Sequence, residues 1–191
     1  MRELQTGIWH WQAPHPEWEG PEVSSYAIDD GERLLLFDPI ATPSLVDELA
    51  AGRVPVVVLT SPWHERDARD VVQRLGAHVY VPPPETGTAD SIHGEVFAPG
   101  DRLAVGVDAY PGREDPHDLM LWVESRRALV SGDTLVDVGD GLELRDDWLP
   151  AGATREQTLT MLRPLLELPV ELVLATHGGP FDRAALERAL A

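Results

Sequence analysis

The sequence predicts an α+β protein built from two sheets with helices outside. Two observations carry this. Apolar β-branched strand runs and amphipathic helical runs occur together in the first 81 residues, and again after residue 119. Between them lies a strand-rich stretch broken by turn residues. The 191-residue length suits one domain with a real core, so the chain is read as a single domain, 1–191.

Residues 4–11, 23–28 and 33–37 read as strands, with Asp29-Asp30-Gly31 as a hairpin turn between the last two. Thr42-Pro43 opens a helix that Gly52 closes. Residues 54–59 form a buried strand. Ser61-Pro62 then starts a helix with a stripe of Ala68, Val71, Val72 and Leu75, ended by Gly76. Residues 77–81, 95–98, 103–109, 119–124 and 128–131 are strands, the last two joined by a tight turn at Arg126 and Arg127. Thr154 with Gln157 suggests a capping box. Residues 170–175 form a strand and 182–190 a helix. The Pro-rich stretches 13–21 and 81–84 are too short for domain linkers and read as loops.

Composition excludes several functions. There are 33 acidic and 15 basic residues, giving a net charge of −18. Such a chain is a poor partner for nucleic acid or an anionic membrane. With no Cys, disulfides, thiolate ligands and a Cys nucleophile are absent. Every basic residue is Arg, which removes Schiff-base and P-loop lysines. There is no G-x-S-x-G or G-x-G-x-x-G motif. No signal peptide or membrane span is evident, so a soluble cytoplasmic protein is expected.

Polar residues that follow predicted strands are the candidate chemistry, because sites collect at strand ends. They are Asp38, residues 60–67, residues 110–117, Asp133, and Thr176-His177-Gly178. His10 and His15 flank Trp9, Trp11 and Trp18. Trp9 and Trp11 are expected to pack, whereas Trp63 is expected to line a pocket and bind substrate. His78, inside an apolar strand, is expected to pack or to form a surface tip, and His93 follows a loop with no partner signal. Glu65 and Arg66 lie four residues before Arg69 and Asp70, the spacing of ordinary helix-surface pairs. His64 also has a structural alternative, as a helix cap.

In this order the stations resemble the metallo-β-lactamase superfamily, the αββα sandwich of glyoxalase II-like zinc hydrolases. Leu35-Leu36-Phe37-Asp38 is similar to the strand ending in a supporting Asp. Leu59 to Asp67 stands where the family has T-H-x-H-x-D-H. Tyr110-Pro111-Gly112-Arg113 with His117 is similar to the T-P-G-H-T-x-G-H loop. Ser131-Gly132-Asp133 is similar to the motif carrying the bridging carboxylate, and Ala175-Thr176-His177-Gly178 to that of the last ligand.

The resemblance implies a four-layer αββα fold in which Asp38, His64, Asp67, Arg113, Asp133 and His177 converge. It also implies a degraded metal motif. Pro62 and Arg113 replace two donors of the family's first site, which keeps His64 and Asp133. In the second site Arg66 replaces a carboxylate and Asp67 an imidazole. Neither proline nor arginine offers a lone pair. An inward Arg113 about 4 Å from a divalent ion would be repelled by roughly 8 kcal/mol at an effective dielectric of about 20. The same guanidinium would neutralise Asp133 in a buried pair.

The leading expectation is therefore a metal-free member with no cofactor that binds a small-molecule ligand, with His64, Arg66, Asp67, Arg113, Asp133 and His177 as its working residues. The alternative is a hydrolase of an ester, thioester or phosphoester. It would use one zinc, manganese or iron ion on Asp67, Asp133 and His177, with His64 moving a proton. A third reading places function on an oligomeric or partner surface. Oligomeric state stays open.

Overall fold

The computed structural model describes residues 1–15, 20, 22–84, 92–113 and 115–191. Trp18 and part of the expected loop 13–21 lie outside them. The chain forms two compact units, Met1–Val96 and Phe97–Ala191, each with its own sheet.

The first unit carries seven strands: β1 (Arg2–Gln5), β2 (Ile8–Ala13), β3 (Val23–Asp29), β4 (Arg33–Phe37), β5 (Val54–Val58), β6 (His78–Val81) and β7 (Glu95–Val96). They lie in chain order, antiparallel from β1 to β4 and parallel from β4 to β7. The β3–β4 turn forms as expected. Asp29 Oδ1 accepts the Gly31 N–H, Asp30 Oδ1 accepts those of Glu32 and Arg33, and Gly31 takes φ 99°.

Helices α1 (Leu45–Ala50) and α2 (Ala68–Leu75) cover one face of this sheet. Val46, Ala50, Ala68 and Val71 pack there with Leu34, Leu36, Val57, Leu59 and Val79. Burying one such valine contributes about 1.5–3 kcal/mol. Leu34 through Phe37 are all buried, so both faces of β4 are covered and its register is fixed.

The second unit holds β8 (Arg102–Leu103), β9 (Val107–Pro111), β10 (Leu119–Val123), β11 (Ala128–Val130), β12 (Leu172–Leu174) and β13 (Pro180–Asp182). Their order is β13-β12-β11-β10-β9-β8, with only β11 and β12 parallel. Helices α3 (Arg155–Leu162) and α4 (Arg183–Ala189) pack Leu159, Leu162 and Leu186 against Met120, Leu129 and Val173. Thr154 caps α3 by accepting the Gln157 N–H at 3.3 Å, and Asp182 caps α4 through Ala185 N–H at 2.9 Å.

Three sequence expectations need correction. Residues 4–11 are not one strand: Gly7, at φ 81°, turns the chain, and Glu3 accepts its N–H. Residues 103–109 are likewise split into β8 and β9 by Gly106 at φ 75°. The helix expected from Ser61 breaks into a 3-10 turn at Pro62–His64 and then α2, because Arg66 between them adopts φ 43°. Strand β13, in the Gly-Pro segment before α4, has no alternating pattern to announce it.

Candidate functional site

Each unit gathers polar side chains at its strand ends. In the first, Asp38 follows β4 and is fully buried, at φ 45°. Its Oδ1 accepts the Thr60 N–H at 2.8 Å, and its Oδ2 accepts the Thr60 hydroxyl at 2.5 Å. The same Oδ2 lies 3.0 Å from His64 Nδ1, which is also 2.9 Å from Thr60 Oγ1. An acceptor-only carboxylate there favours the proton on Nδ1 and sets the orientation of the ring. His64 thus sits in the 3-10 turn with its ring oriented by Asp38.

Arg66 Nη1 donates to the carbonyls of Ser24 and Asp38, each at 2.9 Å. Its neighbours make the expected surface pair: Arg69 bonds Glu65. Asp70 is bonded by Arg74 at 3.0 Å. Asp67 precedes α2 and accepts the Ala41 N–H through Oδ2. Trp63 is 38% exposed and lines a cavity of about 500 Å³ with Pro14, His15, Ile40, Pro62 and Asp67. Trp9 and Trp11 pack in one apolar cluster, and Trp11 Nε1 donates to Ile40 O at 2.6 Å.

In the second unit, Asp133 follows β11 and His177 follows β12, and both are buried. His177 Nε2 lies 3.0 Å from Asp133 Oδ1. Arg113, whose side chain is 13% exposed, approaches two carboxylates. Its Nη2 is 3.5 Å from Asp133 Oδ2 and its Nε 3.3 Å from Asp118 Oδ2. Its Nη1 donates to Trp148 O at 2.7 Å, and the Trp148 ring meets His177 edge-on at 5.2 Å. His117 belongs to the loop, where its N–H bonds Asp115 Oδ1 at 2.8 Å.

Asp118 and Trp148 are the residues that the sequence reading missed. Asp118 is fully buried, accepts Asp133 N–H at 3.0 Å and the Thr134 hydroxyl at 2.7 Å, and faces Arg113. Burial pushes its carboxyl up to about 7, the Asp133 charge adds to this, and Arg113 and the hydrogen bonds oppose it. The available signal was an acid directly before the fully apolar run 119–123. Gly112 lets the loop pass close by, since a Cβ there would lie 2.5 Å from Asp118 O.

Arg113 is the cation beside both carboxylates of the second unit. Asp133 and His177 suit one edge of a divalent ion's coordination sphere: ligands about 2.0–2.1 Å from a tetrahedral ion stand roughly 3.3 Å apart. A permanent cation, the Arg113 guanidinium, stands 3.5 Å from the other oxygen of the same carboxylate. Asp67, the third donor in the mononuclear expectation, lies in the first unit, where its Oδ2 is held by Ala41.

Solved structures identify the fold. A metallo-β-lactamase from Pontibacter korlensis superposes with a TM-score of 0.71 at 17% identity, covering 99% of this chain and 95% of that one. The DIM-1 metallo-β-lactamase gives 0.69 at 14% identity, with 99% and 93% covered. The BLEG-1 B3 metallo-β-lactamase gives 0.66 at 19%, with 94% and 97% covered. The chain therefore has the metallo-β-lactamase fold, the αββα class expected from its strand-end motifs. At these identities the likeness establishes fold alone. No family model matches the chain, and no curated protein matches it in sequence. No helix among the described residues is long and apolar enough to cross a membrane.

Proposed function

We propose that this metallo-β-lactamase-fold protein works without a dinuclear metal centre and binds a small organic molecule. The observation that supports this is the Arg113 guanidinium between Asp118 and Asp133, where it supplies positive charge to both carboxylates. Arg suits the task because it is planar, weakly hydrated and always charged. The role of Asp133 is then to anchor Arg113 and His177, and that of Asp38 to orient His64. Metal analysis of protein purified without added metal tests the reading. The expected result is no stoichiometric zinc, manganese or iron, and two ions per chain would overturn it.

A second reading is favoured by the 3.0 Å approach of His177 Nε2 to Asp133 Oδ1. One divalent ion on that pair would activate a water for attack on an ester, thioester or phosphoester. In that case Arg113 holds the far oxygen of Asp133 and Trp148 fixes the face of His177. One stoichiometric ion, lost together with esterase activity in Asp133→Asn, would select this reading.

A further inference from the structure

We infer that the first-unit cavity is a binding site for a small organic ammonium ion, held by the Trp63 indole and the Asp67 carboxylate. The inference rests on the ligand-binding reading above and names the ligand's chemistry. The cavity of about 500 Å³ has the size of a small-molecule site. Its walls combine Pro14, Ile40 and Pro62 with Trp63, an unusually exposed indole at 38%. An indole and a carboxylate lining one cavity can recognise an amine, through cation–π attraction and a charge-assisted hydrogen bond.

Two of the three formal charges in the lining, Glu65 and Asp67, are negative and one, Arg66, is positive. Asp67 Oδ2 takes the Ala41 N–H, while its Oδ1 has no donor among the described residues. Glu65 is already occupied by Arg69 and the Ile92 N–H. Arg66, the opposing charge, turns Nη1 to the Ser24 and Asp38 carbonyls and keeps Nε and Nη2 shielded from solvent. The net charge of −18 adds a long-range bias toward cations. The lining is also built at a cost. Ala41 and Arg66 both hold left-handed backbone, at φ 42° and 43°, a conformation that non-glycine residues adopt mainly where surrounding structure demands it.

The test compares three probes of one shape on chelator-treated full-length protein: phenethylammonium, 2-phenylethanol and phenylacetate. Titrations follow the Trp63 indole N–H resonance, assigned with Trp63→Leu. Phenethylammonium should bind saturably, about five- to thirtyfold more tightly than the alcohol, with phenylacetate weakest. Asp67→Asn retains an acceptor for Ala41 N–H but drops the charge, and should abolish the preference for the amine. Trp63→Leu should weaken the amine about fivefold or more. Equal affinity for the three probes, no saturable binding, or a preference that survives Asp67→Asn would each overturn the assignment. If a variant melts early, the comparison of the three probes on wild type decides alone. Metal content is read separately, so failure here is distinguishable from failure of the metal-free reading.

Discussion

Replacing Arg113 by Ala should destabilise the protein by about 3 kcal/mol. Its guanidinium stands 3.3 Å from Asp118 and 3.5 Å from Asp133, and removal leaves two buried carboxylates facing one another. Removing one partner of a buried pair typically costs about 3–5 kcal/mol. The lower end applies, because Asp118, pushed up to about 7, can take up a proton and relieve part of the repulsion. The carbonyl of Trp148 also loses its 2.7 Å donor, which keeps the cost from falling further. For a chain of this size, about 3 kcal/mol is a fall in Tm of roughly 6–12 °C. Calorimetry of wild type, Arg113→Ala and Arg113→Lys measures it directly. Lys should recover only part of the loss, since one ammonium cannot reproduce the planar fork. An Arg113→Ala protein melting within about 2 °C of wild type would refute the charge-replacement argument.

Acid should weaken the fold through His10, which is 7% exposed and bonded to Ser24 at 2.8 Å. Burial chiefly, with Arg2 and the N-terminal ammonium, lowers it from 6.5 to about 4, so the unfolded chain binds the proton more readily. That contribution is complete above about pH 6.5 and declines toward pH 4, by about 3 kcal/mol in all. Urea unfolding across that range should show the slope in wild type and a flatter one in His10→Gln. Gly112→Ala should cost more than about 2 kcal/mol, because the new methyl would press on Asp118 O and the Thr134 hydroxyl. A soluble variant with unchanged Tm would disprove that packing. Asp38→Ala should cost about 2–4 kcal/mol and free the His64 ring, seen as changed imidazole resonances.

The strand ends were legible because apolar runs stop abruptly at them. Phe37 gives way to Asp38, Leu59 to Thr60, Val130 to Ser131, and Ala175 to Thr176, and each boundary is a real strand end or lies within one residue of it. Hairpins at Gly7 and Gly106 were hidden, since a single glycine inside an apolar-polar alternation leaves the period intact while reversing the chain. Asp118 was hidden for a different reason. A buried acid is intelligible only through its partners, and Arg113, Asp133 and Thr134 are brought to it by loop and sheet geometry rather than by spacing. The direction of Arg66 likewise depends on a left-handed residue that no propensity favours.

Asp38 has an evolutionary consequence. Its carbonyl receives Ser25 Oγ and Arg66 Nη1, its carboxylate receives Thr60 and faces His64, and its own backbone sits at φ 45°. The backbone would be most comfortable as Gly, but Gly would strip the carboxylate partners. Glu would supply the charge on a longer stem, in a backbone region that it rarely adopts. Asn tolerates the conformation and can keep one acceptor, but its amide nitrogen only donates and accepts from neither Thr60 nor His64. No neighbouring residue type improves one requirement without spoiling another. In a saturation library selected for folding, position 38 should therefore stay Asp, while Ala41, which engages Asp67 only through its backbone N–H, should drift readily to Gly or Asn.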